Sequence, residues 1–536
     1  MANRDSGGNR GEPGIEPHTG ASSALTLSAL SGVKWAYTSS AISVIAAVGL
    51  TAALARLLGP EAFGLVAMSG VVIRFGSYFA QMGVGSALVQ RLRIYDQDIL
   101  ASQTVAVALG AVFSVFFWLA GPSVAWLVYH DRAAGSVVRV VSLMFLLDGL
   151  SVTSTSLLRR RLAFRRLAVN ELLSYLIGYG ALSVALAALG YGVWSVVFGL
   201  LSQSAIAAVL NYNAVRHPIG ICMDGSRYRT LIGYGGRVSV ISFFEFLGYS
   251  IGPVAIGRFL GASTLGYFSN AQRLANYSTE KLVTGLTRVL FPSFSSVQDD
   301  QSRLRGAFLS SYSIAGLIAV PLSVMVAVSA REVITVLLGQ QWLPAVPLLR
   351  LMSLAAPFTF LSHMMGVLFD SVARLTAKLL MNVAYLVVGV GLVALALPYG
   401  VSGVAAAYCA VEAAYWLACV LLTRQILNSP RGAFARRHRV MLLAGIMVAA
   451  LGVPMNAGAK ALGIPAIAVL LVEVLAGFLP VAGLALVAPT PLLKKEFSGL
   501  YSRLYGPGMY EGGSRLMRWY ARRNRAWLCP VEEGAE

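Results

Sequence analysis

Two arginines stand inside long apolar runs of this chain, and the same polar pattern follows each of them. Arg74 is trailed by Ser77, Tyr78 and Gln81 at i+3, i+4 and i+7; Arg273 is trailed by Asn276, Tyr277 and Glu280 at the same spacings. On a helix such positions share one face. An ionisable group at membrane depth is costly, so it turns toward a bundle interior or a wet cavity. Guanidinium is planar, always charged and shaped for a bidentate grip on phosphate or carboxylate oxygens. The chemistry expected of the pair is anion binding. The alternative, left open by the sequence, is that each arginine is buried against a carboxylate for structural reasons.

Other charged residues in apolar surroundings extend this set. Lys281 and Arg288 follow Arg273 on the same run, Lys281 as a further candidate for the anion and Arg288 as an interfacial residue. Arg350 is a candidate for the same anion or a side chain that snorkels to the surface. Arg237 and Lys34 stand at matching places near the starts of two apolar runs and read as interfacial anchors. Four carboxylates reach membrane depth: Asp148, Glu245, Glu412 and Glu473. Glu245 and Asp148 are the expected sites for proton or sodium coupling, with pairing to a buried arginine as the alternative for each. Cys222, Cys409, Cys419 and Cys529 have no metal-ligand spacing, so neither a zinc site nor a disulfide framework is expected, and no cofactor.

The elements that position these residues follow from composition. With 57% hydrophobic and only 12% charged residues, the chain is too apolar for a water-soluble protein. Apolar runs of roughly 20 residues, each able to cross a hydrocarbon core about 30 Å thick, recur from Val33 to Val487. Strand-type alternation is absent, so the expected fold is an all-α polytopic membrane protein with about fourteen transmembrane helices. The net charge of +19 invites a nucleic-acid reading. Most of the Lys and Arg, however, lie in alternate loops, such as "RRRLAFRR" at 159–166 and "RGAFARRHR" at 431–439, as the positive-inside rule requires. No nucleic-acid partner is expected, and both termini are expected in the cytoplasm.

A short motif is written twice. "RLLGPEAFG" (Arg56 to Gly64) and "RFLGASTLG" (Arg258 to Gly266) both fit R-x-L-G-x4-G, each in a loop on the less charged side. The spacing predicts a parallel repeat of six helices. Its glycines are expected to make a tight turn with positive φ, and its arginines to offset the helix dipole and snorkel. Arg74 then lies roughly 18 Å and Arg273 roughly 14 Å into equivalent helices, by the rise per residue. The expected organisation is a disordered cytoplasmic tail (1–30), a first lobe (31–215), a basic inter-lobe loop (216–229) and a second lobe (230–425). Two additional helices (426–488) and a basic cytoplasmic tail (489–536) complete it. Parallel repeats of this kind place a central cavity between the lobes.

The segments "RLLGPEAFGLVAMSGVVIRF", "GVGSALVQR", "LLRRRLAFRRLAVNELLS", "VAIGRFLGASTLGYFSNAQRLAN", "RVLFPSFSSVQDD" and "GQQWLPAVPLLRLMS" resemble the polysaccharide-transport (Wzx-type) flippases. These belong to the multidrug/oligosaccharidyl-lipid/polysaccharide exporter superfamily. The likeness covers roughly residues 33–425. It implies flipping of an undecaprenyl-diphosphate-linked oligosaccharide from the cytoplasmic to the periplasmic leaflet of a bacterial inner membrane, for exopolysaccharide, O-antigen or capsule synthesis. It also implies contact with membrane lipids and with polysaccharide polymerase or export machinery, and transport without enzymatic chemistry. The alternative within the superfamily is a cation-coupled multidrug exporter. Relatives often carry Asn or Asp where this chain has Gly252 and Pro253, which leaves Glu245, a turn or two earlier, as the substitute carboxylate.

Overall fold

The structure, a computed structural model, describes residues 42–81, 85, 88–89, 94–222, 225–470 and 472–473. The expected tails, Lys34 and most of the last additional helix lie outside the described residues, as do the side chains of Arg237, Glu280, Lys281 and Arg288.

Among the described residues the chain is helical, without a strand. In chain order the helices are α1 (Ile42–Leu57), α2 (Pro60–Gln81), α3 (Asp96–Tyr129), α4 (Arg132–Arg160), α5 (Phe164–Ala188) and α6 (Val193–Val215). The second half follows with α7 (Gly225–Leu260), α8 (Ala262–Ser295), α9 (Gln301–Val328), α10 (Val346–Ser371), α11 (Leu375–Ala396) and α12 (Gly400–Ile426), and then α13 (Arg431–Ala461). Eight helical segments among the described residues are long and apolar enough to cross a membrane, so the protein is a polytopic membrane protein.

Local chemistry sets the helix starts. Pro60 opens α2, where its missing N–H costs nothing. Asp131 caps α4 by accepting from the Ala133 and Ala134 amides at 2.7 and 3.1 Å, and Asp300 caps α9 through the Ser302 and Arg303 amides. The Arg303 amide first, then the Ser302 hydroxyl and amide, hold the exposed Asp300 carboxyl below the usual range.

The two R-x-L-G-x4-G motifs meet each other. A Cβ on Gly64 would stand 1.8 Å from the Ala262 carbonyl oxygen, and one on Gly266 would stand 1.9 Å from the Pro60 carbonyl oxygen. Gly64 corresponds to Gly266 and Pro60 to Ala262 in the two copies, so the contact is reciprocal. The final glycine of each motif therefore lets α2 and α8 cross backbone to backbone, as small residues do between membrane helices. Positive φ was expected of the motif glycines; of the four, only Gly261 takes it, at φ 85°, and Gly64 and Gly266 serve the close approach instead.

The motif arginines do not simply snorkel. Arg258 donates to the carbonyls of Leu127 (2.7 Å) and Val128 (3.4 Å) at the end of α3 and touches His130. Arg56 donates to the Val336 carbonyl in the short helical link after α9. In return, Gln341 Nε2 donates to the Ala55 and Leu58 carbonyls at 2.6 and 3.3 Å, and Trp342 Nε1 to Ala55 at 2.9 Å. The last carbonyls of a helix have no partner in their own helix; here the opposite half supplies it.

At this turn end one apolar core runs through both halves, including Leu54, Met68, Tyr129, Ile256, Phe268 and Trp342. At the other end, which carries the basic loops, the buried clusters belong to one half each. Leu88, Ile94, Leu157 and Leu167 pack in the first half; Phe294, Phe308, Phe360 and Phe434 pack in the second half with α13.

The crossing generates the first prediction. Gly64→Ala and Gly266→Ala push backbone against backbone and are expected to destabilise by at least ~2 kcal/mol. Gly70→Ala, with nothing within 4 Å of its Cβ position, is neutral or slightly stabilising. Thermal unfolding of the detergent-solubilised protein, followed by size exclusion, checks the contrast.

Candidate functional site

α2 and α8 both run from the crossing toward the basic end. Arg74 lies ten residues beyond Gly64 and Arg273 seven beyond Gly266, roughly 15 and 10 Å along the two axes. The two arginines come one from each half and flank the crossing on the same side. Arg74 is exposed, on a stripe with exposed Gly70 and half-buried Ser77; the neighbouring Phe75 meets Phe243 of α7 edge-on at 5.5 Å.

Arg273 is half-buried and sits on the boundary between halves. It donates to the hydroxyl of Tyr179 on α5, with Tyr175 and Tyr277 close by. Tyr175 and Tyr179 stack at 5.3 Å on a π-helical stretch, Tyr175–Leu182, a deformation frequent at functional sites. The Tyr277 hydroxyl pairs with Thr51 of α1 at 3.2 Å. Of the repeated polar stripe, Tyr277 thus reaches across the halves, whereas the Ser77 hydroxyl folds back onto the Ile73 carbonyl of its own helix at 2.9 Å.

The other sequence candidates are dispersed. Arg350 is exposed and roughly 6 Å into α10, against roughly 16 Å for Arg273 in α8. Lys281 lies two turns beyond Arg273 on α8, with its side chain outside the described residues. Asp148 accepts a hydrogen bond from Ser204 across the α4–α6 seam. Asn211 lies in the same seam, taking a bond from Asn170 at 2.9 Å and donating to Thr155 at 3.2 Å.

Glu245 is not a solitary carboxylate. Lys378 Nζ lies 3.3 Å from Glu245 and 3.1 Å from Asp370, tying α7, α10 and α11 together, and Asn382 donates to Glu245 at 3.4 Å. Glu412 is deeply buried, 1% exposed; it accepts from Tyr385 at 2.8 Å and is also bonded to Tyr408. In the sequence, Lys378 reads as part of a basic loop, "RLTAK"; the structure places it in the first turn of α11. No group of three or more His, Cys, Asp or Glu arranged to hold a metal occurs among the described residues.

The comparisons with known proteins bear on the whole arrangement. The model of the polysaccharide biosynthesis protein family matches residues 53–347, a stretch that holds both glycine motifs, Arg74 and Arg273, and Gln341 and Trp342. The chain belongs to this family. Within the family's reach, the chain is 24% identical over 360 residues to the lipopolysaccharide biosynthesis protein WzxC of Escherichia coli (strain K12). That alignment covers 66% of this chain and 72% of the relative. It is 27% identical over 319 residues to the succinoglycan biosynthesis transport protein ExoT of Rhizobium meliloti (strain 1021), covering 59% and 64%. Its fold is similar to that of the lipid II flippase MurJ in an inward closed conformation, with TM-score 0.68, 12% identity and coverage of 87% and 98%. It is also similar to an inward-facing multidrug resistance MATE family transporter of the MOP superfamily, with TM-score 0.60, 17% identity and coverage of 71% and 94%.

The Lys378 triad yields a second prediction. Lys378→Met strips the ammonium from two carboxylates that are about a third exposed, so the expected loss is about 1–2 kcal/mol after discounting for solvent screening. Adding Glu245→Gln recovers part of it. A double-mutant cycle on thermal unfolding measures the coupling; a value of zero removes the triad as a structural tie.

Proposed function

We propose that this protein moves a lipid-linked oligosaccharide, carried on a diphosphate, across a bacterial inner membrane from the cytoplasmic to the periplasmic leaflet. In this reading the chain makes about fourteen spans with both termini in the cytoplasm. Residues 31–215 and 230–425 act as two lobes, and 426–488 as an addition to them. The cargo's diphosphate binds between the lobes, and its sugars pass while one end of the bundle is closed and the other open. No covalent chemistry is required; the chain supplies charge, shape and exclusion of lipid.

The observation that carries the reading is the placement of Arg74 and Arg273, one from each half, on the same side of the glycine crossing. A diphosphate is doubly served by two forks approaching from opposite sides, because each guanidinium can pair two oxygens. Family membership supports the cargo class, as do relatives named for lipopolysaccharide biosynthesis and succinoglycan transport. A turn end sealed by one shared core, with separate clusters at the basic end, supports a resting state open toward the cytoplasm. Glu245, with Lys378 already at its carboxylate, is a poorer place for a coupling cation than the sequence alone implies, while Asp148 keeps only a hydroxyl partner among the described residues. Arg350 and Lys281 are secondary contacts for the anion in this reading.

In a deletion strain, Arg74→Ala and Arg273→Ala are each expected to lower surface polysaccharide at least ~10-fold, the scale of losing one charged hydrogen-bonding pair. Membrane levels stay normal and undecaprenyl-linked units accumulate inside; the lysine variants keep part of the activity. Full export from both alanine variants overturns the assignment.

A further inference from the structure

The turn-end seal is assembled from two kinds of interaction that oppose each other. On the holding side stand four donors: Arg56, Arg258, Gln341 and Trp342, every one bonded to a helix-end carbonyl of the opposite half. Trp342 is wholly buried and meets Phe63 edge-on at 5.4 Å, so its bond to Ala55 is shielded from water. On the opposing side stands Asn270, one turn beyond Gly266 on α8. It is 0% exposed, and neither its amide nitrogen nor its amide oxygen has a partner among the described residues. Tyr129, packed against Gly257 in the same shared core, also has an unpartnered hydroxyl. A buried amide with no partner loses its water and gains nothing in exchange. Such groups are rare in folded proteins and demand a reason.

We propose that the seal is a metastable latch: the cross-half caps hold it shut, and the buried, unpartnered amide of Asn270 biases it toward opening. When the halves part at this end, Asn270 and Tyr129 regain water, and the carbonyls at the ends of α1, α3 and the link after α9 do likewise. Arg56 is exposed and Arg258 half-buried, so each of their bonds holds the seal less strongly than a fully buried charged bond would. Opening therefore trades caps for hydration, and the balance stays near even, which a carrier that must visit both states requires. The inference rests on the alternating-access reading for its biological meaning.

The test is a distance measurement on the full chain in lipid nanodiscs without cargo. The native cysteines are replaced, and spin labels are placed at Leu189→Cys and Tyr399→Cys, both largely exposed residues on turn-end links of opposite halves. Arg56→Ala with Arg258→Ala is expected to raise the ratio of long to short distances about 10- to 100-fold, for two charged bonds lost. Arg56→Lys with Arg258→Lys gives a smaller shift in the same direction. Asn270→Leu is expected to abolish the long distance. An arginine double variant, or its lysine counterpart where the alanine version does not fold, with the unaltered distribution overturns the latch. An Asn270→Leu protein that still opens overturns the role given to the amide. Because no cargo is present, these outcomes stand apart from export by the Arg74 and Arg273 variants, whose failure bears on the cargo alone.

Discussion

Two helices can approach backbone to backbone only where neither presents a side chain, and α2 and α8 do so at Gly64 and Gly266. Much of the rest of the molecule follows from that one contact. It fixes how the halves are related, since each glycine meets the residue that opens the other's helix. It brings the end of α1 within reach of Gln341 and Trp342, and the end of α3 within reach of Arg258. It also sets the depth at which the first charged residues beyond the crossing appear. With a larger residue at either position the two cores at the turn end could not merge into one.

A fair part of this was legible in the chain. Apolar runs, basic loops and the doubled motif identify helices, a repeat and the arginines worth attention, because hydropathy and charge act over whole segments and need no partner to be recognised. Individual side-chain fates depend on partners far away in sequence, which no local pattern encodes. Arg56 and Arg258 look like surface anchors until the carbonyls they cap, hundreds of residues removed or nearly so, are brought alongside. Lys378 looks like a loop residue until α11 is seen to begin before it. Trp342 stood inside a quoted motif, yet a tryptophan in an apolar run has no signal that separates a filler of space from a donor to another helix's end.

The polar residues within the helices follow a common rule. Asn211 with Asn170 and Thr155, Glu412 with Tyr385 and Tyr408, and Lys378 with its two carboxylates each stitch neighbouring helices of one half. Lipid offers no hydrophobic drive for helix association, so such stitches, with close packing, do that work. Arg273 with Tyr179 and Tyr277 with Thr51 run instead between halves, at the boundary where any relative movement has to occur. The polar contacts thus sort into ties that make each half rigid and ties that a moving boundary must exchange.

The reciprocal capping makes the two halves dependent on each other. Among the described residues, several helix-end carbonyls are completed from the other half: Ala55, Leu127 and Val128 of the first half are served by the second, and Val336 by the first. A half on its own would leave those carbonyls to water or lipid, so each half depends on the other for the ends of its helices. At the corresponding motif offset α8 buries Asn270 fully where α2 buries Met68, so the mutual dependence is not matched residue for residue.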